Sequence, residues 1–170
     1  TTEGLLKGKN YSQVNGMCRP GPLHGSEGVS LTLMPGFTVH QSSGGCLGKE
    51  KTKARAFVAA RVTPPTPNGG MLGGEVKGCP NGICIIGMHA PDGPIATSAA
   101  DTVEQVCGKD LTPMCTVAVG DFGAGDGSAN PRSPDPHSKL VTRLNQQFDE
   151  LKLGKLVSTT GFAGARSATK

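Results

Sequence analysis

Two apolar runs, each ending in an ionisable side chain, constrain this chain more than any other feature. One is "ICIIGMHAPDG", which begins at Ile83, and the other is "CTVAVGDFGAG", which begins at Cys115. The first is a continuous apolar run of the kind an interior strand carries, and it meets His89 and then Asp92. The second meets Asp121, followed by glycines at 123, 125 and 127. Residues 98–108 between them read as a helix. Ser98 offers a capping hydroxyl, and Asp101 lies where the N-terminal dipole favours an acid. Val103, Val106 and Cys107 supply one face, and Gly108 suits the stop. Strand, helix and strand in this order place His89 and Asp121 at the same end of adjacent strands. A carboxylate there is held by a rigid element yet faces the rim where ions and substrates arrive. Glycine beyond it lets backbone approach a ligand closely. A histidine there can move protons or stabilise charge on a phosphate. The plainer alternatives are that Asp121 opens an Asx turn and that His89 bonds a loop carbonyl.

The remaining elements follow from the same patterning. "GVSLTLM" (28–34) and "ARAFVAARV" (54–62) read as strands, and 73–88 reads as a hairpin about Asn81-Gly82. "HSKLVTRLNQQFDELKLG" holds a second helix, with Ser138 as cap, Leu140, Val141, Leu144, Phe148 and Leu151 at helical spacing, and Gly154 at its end. "KLVSTT" is a short strand. Residues 1–27 and the polar stretch 41–53 read as irregular, and the prolines of "TPPTPNGG" forbid regular structure. The order of elements is α/β (α+β). With 26 glycines and 13 prolines in 170 residues, the fold is expected to be loop-rich.

Composition removes several function classes. There is no Trp and one Tyr, too few for a platform that stacks single-stranded bases. A net charge of +4 permits a polyanionic partner without requiring one. No apolar run has the length of a membrane span. The chain starts without an initiator Met or a signal peptide, so the reading is of a processed chain or a piece of a longer one. Cysteines stand at 18, 46, 79, 84, 107 and 115. No C-x-x-C and no zinc-finger spacing occur, which argues against structural zinc. The even count allows 15 disulfide pairings, while Cys84, Cys107 and Cys115 sit in apolar patterns that also suit plain buried thiols, so disulfides and free thiols both stay open. Cys79 and Cys84 flank the Asn81-Gly82 turn and are expected near each other. The glycine loop after Asp121 lacks the G-K-[ST] of a P-loop, and no serine sits in an elbow motif. Lys49, Lys51, Lys53 and Arg55 form a basic run that reads as a solvated edge or as phosphate contacts.

"MHAPDG" after one core strand and "VAVGDFGA" after the next, with one helix between, resemble the endonuclease/exonuclease/phosphatase superfamily, the DNase I-like fold. "HGSEGVSLTL", "ARAFVAARV" and "LNQQFDELKLGKLVSTTG" are similar to its strands and helix in order, so the likeness spans roughly the whole chain. It implies a layered β-sandwich with flanking helices and Mg²⁺-dependent phosphoester hydrolysis on nucleic acid or another phosphoester. "TTEG" resembles the end of the family's early strand, which would make Glu3 a metal ligand. The resemblance gives Asp121 a role at the metal and the attacking water, and His89 a role in stabilising the phosphate. Two departures accompany it. The family's Asn after G-D-F is Gly123 here, and the family's first Asn-bearing strand and closing S-D-H segment would fall outside residues 1–170. The implied domain is therefore an incomplete one over residues 1–170. Its function is either that of a degenerate or partial metal-dependent phosphodiesterase, or that of a non-catalytic subunit of a larger assembly of protein subunits. A disulfide-rich secreted module is a third reading.

Overall fold

The computed structural model describes residues 11–19, 25–49, 54–65, 76, 78–91, 93–108, 115–121 and 145–153. It is a mixed α/β structure with two sheets. Strands β1 (Ser12–Cys18) and β2 (Glu27–Leu33) form an antiparallel ribbon. The larger sheet holds β3 (Thr38–Leu47), β4 (Arg55–Thr63), β5 (Ile83–His89) and β6 (Thr116–Asp121), in the order β3-β4-β5-β6. Its first two pairings are antiparallel and the β5–β6 pairing is parallel. A parallel neighbour requires a crossover, and helix α1 (Thr97–Cys107) supplies it.

β4 is buried along nearly its whole length because it is covered on both faces. Phe57 and Ala59 point to one side, where they pack with Leu47, Cys84, Ile86 and Met88 under Val103 and Val106 of α1. Val58, Ala60 and Val62 point to the other side, against Leu31 and Leu33 of the ribbon. Each large side chain buried this way contributes about 1.5–3 kcal/mol. The ribbon lies close on the sheet. A Cβ on Gly16 would fall 1.9 Å from the Phe57 carbonyl oxygen, and one on Gly44 would fall 2.7 Å from the Gly16 Cα. Only hydrogen fits at that crossing.

Several expectations are corrected. The region 1–27, expected to be irregular, contains β1, and most of the polar stretch expected to be a loop belongs to β3. Neither strand shows an apolar alternation. β1 is half of an outer ribbon and buries only the small residues Gly16 and Cys18, while β3 is an edge strand with most of its residues exposed. The hairpin expected over 73–88 is absent from the described residues. The antiparallel partner of β5 is β4, and before the turn there is an isolated bridge between Val76 and Cys79. The turn itself is present: Gly82 N–H donates to the Cys79 carbonyl at 3.0 Å, with Gly82 at φ 88°. α1 starts one residue before Ser98, and its N-cap is Ala96 with no side-chain cap. Its stop at Gly108 (φ 88°) is as expected. Residues 145–150 are helical, and Leu151, Leu153 and Phe148 join the core beneath α1. This helix closes before Gly154. Leu153 N–H reaches the Phe148 carbonyl and Lys152 N–H that of Asp149, with Lys152 at φ 58°, which is the Schellman pattern. The expected strand over 155–160 lies outside the described residues.

All six cysteines are paired: Cys18–Cys46, Cys79–Cys115 and Cys84–Cys107, with Cα separations of 4.8, 5.6 and 5.5 Å. Cys79 and Cys84 are therefore not bonded to each other. Cys79 ties the turn before β5 to the residue preceding β6, and Cys84 ties β5 to the last residue of α1.

Candidate functional site

β5 and β6 run parallel with His89 opposite Asp121, so both residues leave the sheet at the same end of adjacent strands. Gly120 is what lets β6 stay in register up to that point. Its φ is 139°, and a Cβ there would sit 1.8 Å from the Met88 carbonyl oxygen. Beyond the last pair, Ala90 N–H donates to the Asp121 carbonyl at 2.7 Å. The backbone thus fixes where Asp121 leaves the strand, and its side chain is exposed. β4 is antiparallel to β5, which brings its first residue, Arg55, to the same end of the sheet.

The ribbon supplies a fourth residue. Glu27 opens β2 in phase with Val29, Leu31 and Leu33, the residues that face the sheet. Its Oε1 accepts a hydrogen bond from His89 Nδ1, and its Oε2 lies 3.6 Å from Arg55 Nη1. An ionised carboxylate only accepts, so the shared hydrogen is on Nδ1 and Nε2 is the ring nitrogen that Glu27 does not use. The three side chains are partly exposed, at 27% for Glu27, 37% for His89 and 41% for Arg55. An ion pair this exposed adds about 0–1 kcal/mol to stability, so its consequence is orientation of the imidazole rather than strength of the fold.

The arrangement joins His89 and Asp121 with Arg55, which the basic run had offered as a phosphate contact, and with Glu27, which the sequence had not singled out. His89 and Asp121 are brought together, and His89 bonds a carboxylate rather than a loop carbonyl. Arg55 belongs to the site, while Lys49, from the same basic run, uses its backbone N–H on the Pro94 carbonyl at 3.2 Å. Lys51, Lys53, Asp92, Gly123 and the expected ligand Glu3 lie outside the described residues. Glu27 had a readable signal: an acid in phase with a strand's inward apolar face. His40, the second described histidine, is at the opposite end of the sheet beside Thr63, 3.1 Å away.

Among the described residues, no group of three or more His, Cys, Asp and Glu side chains is arranged to hold a metal ion. Mg²⁺ keeps several waters and is commonly held by one or two carboxylates plus substrate phosphates. Asp121 fits that limited role, whereas Glu27 is engaged by His89 and Arg55. No helix among the described residues is long and apolar enough to cross a membrane. No family model, curated protein or solved structure matches the chain.

Proposed function

We propose that this chain is a degenerate metal-dependent phosphodiesterase-like domain of the endonuclease/exonuclease/phosphatase type, a layered β-sandwich whose strand-end site binds a phosphoester. The observation that carries the reading is the Glu27-bound imidazole of His89 in register with Asp121. With the ring protonated, Nε2–H donates to a phosphate oxygen while Glu27 balances the imidazolium charge. Arg55 adds a second positive group on the same side. Asp121 would hold Mg²⁺ or the attacking water, and the metal would supply charge neutralisation and a more acidic water. The weakness is at position 123, where Gly offers no side-chain amide to a phosphate.

Gly123→Asn tests the reading directly. Hydrolysis of plasmid DNA and of bis(4-nitrophenyl) phosphate is measured with Mg²⁺ or Mn²⁺. The expected result is near-background turnover in the natural chain and a gain of about 10²-fold in the variant, the usual worth of one preorganised donor. Asp121→Ala in that background should remove the gain. If Gly123→Asn neither turns over nor binds a diester, the reading is wrong.

The second reading is a binding subunit that keeps the fold without the chemistry. Gly123 favours it, and diester binding without turnover in either protein would establish it.

A further inference from the structure

We infer that the Cys18–Cys46 disulfide is the positioning device of the Glu27–His89–Arg55 cluster: it clamps the ribbon to the sheet at the site end and so keeps Glu27 within reach of His89. The inference rests on the proposed function only for the meaning of the site.

The register places the bridge beside the cluster on both sheets. In the ribbon, Cys18 is the partner of Glu27. In the sheet, Cys46 is the partner of Ala56, and the next pair is Leu47 with Arg55. One covalent bond therefore joins the strand position opposite Glu27 to the position next to Arg55. Neither of the other two disulfides has a cysteine in the ribbon.

Packing explains why a covalent link is needed there. Toward the far end, the ribbon is held by branched side chains, with Leu31 and Leu33 against Val58, Ala60 and Val62. Toward the site end, the buried cluster consists of Cys18, Ala54 and Ala56, flanked by Val29 and Cys46. Methyl-sized groups bury little area, so apolar attraction at this end is weak. A two-stranded ribbon has marginal stability of its own. Without the bridge, the end of the ribbon that bears Glu27 is held by a few mostly small side chains and by Glu27's two partly exposed polar contacts, with His89 and Arg55.

The test reads the His89 ring directly, with no substrate or metal. Long-range ¹H–¹⁵N spectra at pH about 8.5, two units above the ordinary imidazole value, report which ring nitrogen carries the hydrogen. In the natural chain His89 is expected in the Nδ1–H form. In the Cys18→Ser/Cys46→Ser variant, the Nδ1–H fraction should fall by about two-fold or more, while His40 and the amides of α1 stay unchanged. Cys79→Ser/Cys115→Ser is the control for disulfide loss as such, and it should keep the His89 signature. An unchanged His89 tautomer in the Cys18/Cys46 variant overturns the inference, and so does an equal loss in the control. Should the serine variant fail to fold, Cys18→Ala/Cys46→Val keeps apolar side chains in the same cluster and is read in the same way. Hydrolysis by Gly123→Asn is a separate measurement, so failure of the clamp and failure of the phosphoester reading are distinguishable.

Discussion

Glu27, the first residue of β2, accepts the Nδ1 hydrogen of His89, the last residue of β5, across 62 positions of sequence. The bond joins the ribbon to the sheet and sets one tautomer of the ring. Its energetic worth is small because both groups are partly exposed, so Glu27→Gln should change stability by less than about 1 kcal/mol. Its effect on the site should be larger. In the Gly123→Asn background, His89→Ala should lower diester turnover by about 10²-fold and Glu27→Gln by about 10-fold. Chemical denaturation of the same variants separates the two effects. A stability loss that matches the activity loss would assign Glu27 to the fold instead.

Gly120→Ala should dissociate β6 from its register. The new methyl would meet the Met88 carbonyl at 1.8 Å, at a φ of 139° that side chains avoid. A destabilisation of about 3 kcal/mol is expected, measured from urea midpoints. Gly16→Ala should cost a similar amount, about 3 kcal/mol, because its methyl would meet the Phe57 carbonyl at 1.9 Å. Gly93→Ala, where no atom lies within 4 Å, is the matched control with little change.

Unfolded chain that has not been reduced should take up no iodoacetamide, and reduced chain should take up six equivalents. Peptide mapping should return Cys18–Cys46, Cys79–Cys115 and Cys84–Cys107. The bridges span 28, 36 and 23 positions. In the chain-entropy model, each contributes about 3–4 kcal/mol by restricting the unfolded state. Reductant should therefore lower the thermal midpoint sharply. Any free thiol in the native protein would contradict the pairing.

Lys152 closes the helical turn at 145–150 in a conformation that glycine adopts more easily (φ 58°). Lys152→Gly should have a thermal midpoint about 2–4 °C above that of Lys152→Ala, which loses the same ammonium but keeps a Cβ at this φ, as judged by calorimetry. The Lys152 ammonium lies 2.9 Å from Glu104 and 4.0 Å from Asp101. Its hydrogen bond to Glu104, and then the Glu104 charge, raise its pKa above 10.5. A pKa raised on folding stabilises the native state fully below the unfolded value, and this is lost as pH rises through the folded one. The midpoint difference between the natural chain and Lys152→Met should therefore be constant at neutral pH and shrink as pH rises past the ordinary lysine range and through the raised folded-state value. A difference that persists at high pH would assign the effect to the Lys152 methylenes.

The most local features were legible in the sequence. β5, α1 and β6 follow from two apolar runs with a helical face between them, and their order alone brings His89 beside Asp121. Gly82 and Gly108 mark the turn and stop that a glycine's open side permits. β1 and β3 were not legible, because β1 buries only the small residues Gly16 and Cys18 and β3 is an edge strand that exposes most of its residues, so neither leaves an apolar alternation to read. The sequence allowed 15 cysteine pairings, and the tertiary structure selected one by bringing distant Cα atoms within 6 Å. Glu27 and Arg55 joined the site in the same way. Neither is near His89 along the chain, and each opens a strand whose direction was decided by pairing. A period of two reveals which side of a strand an acid faces. Which residue lies across from it depends on register between sheets, and that is set by packing between residues far apart in the chain.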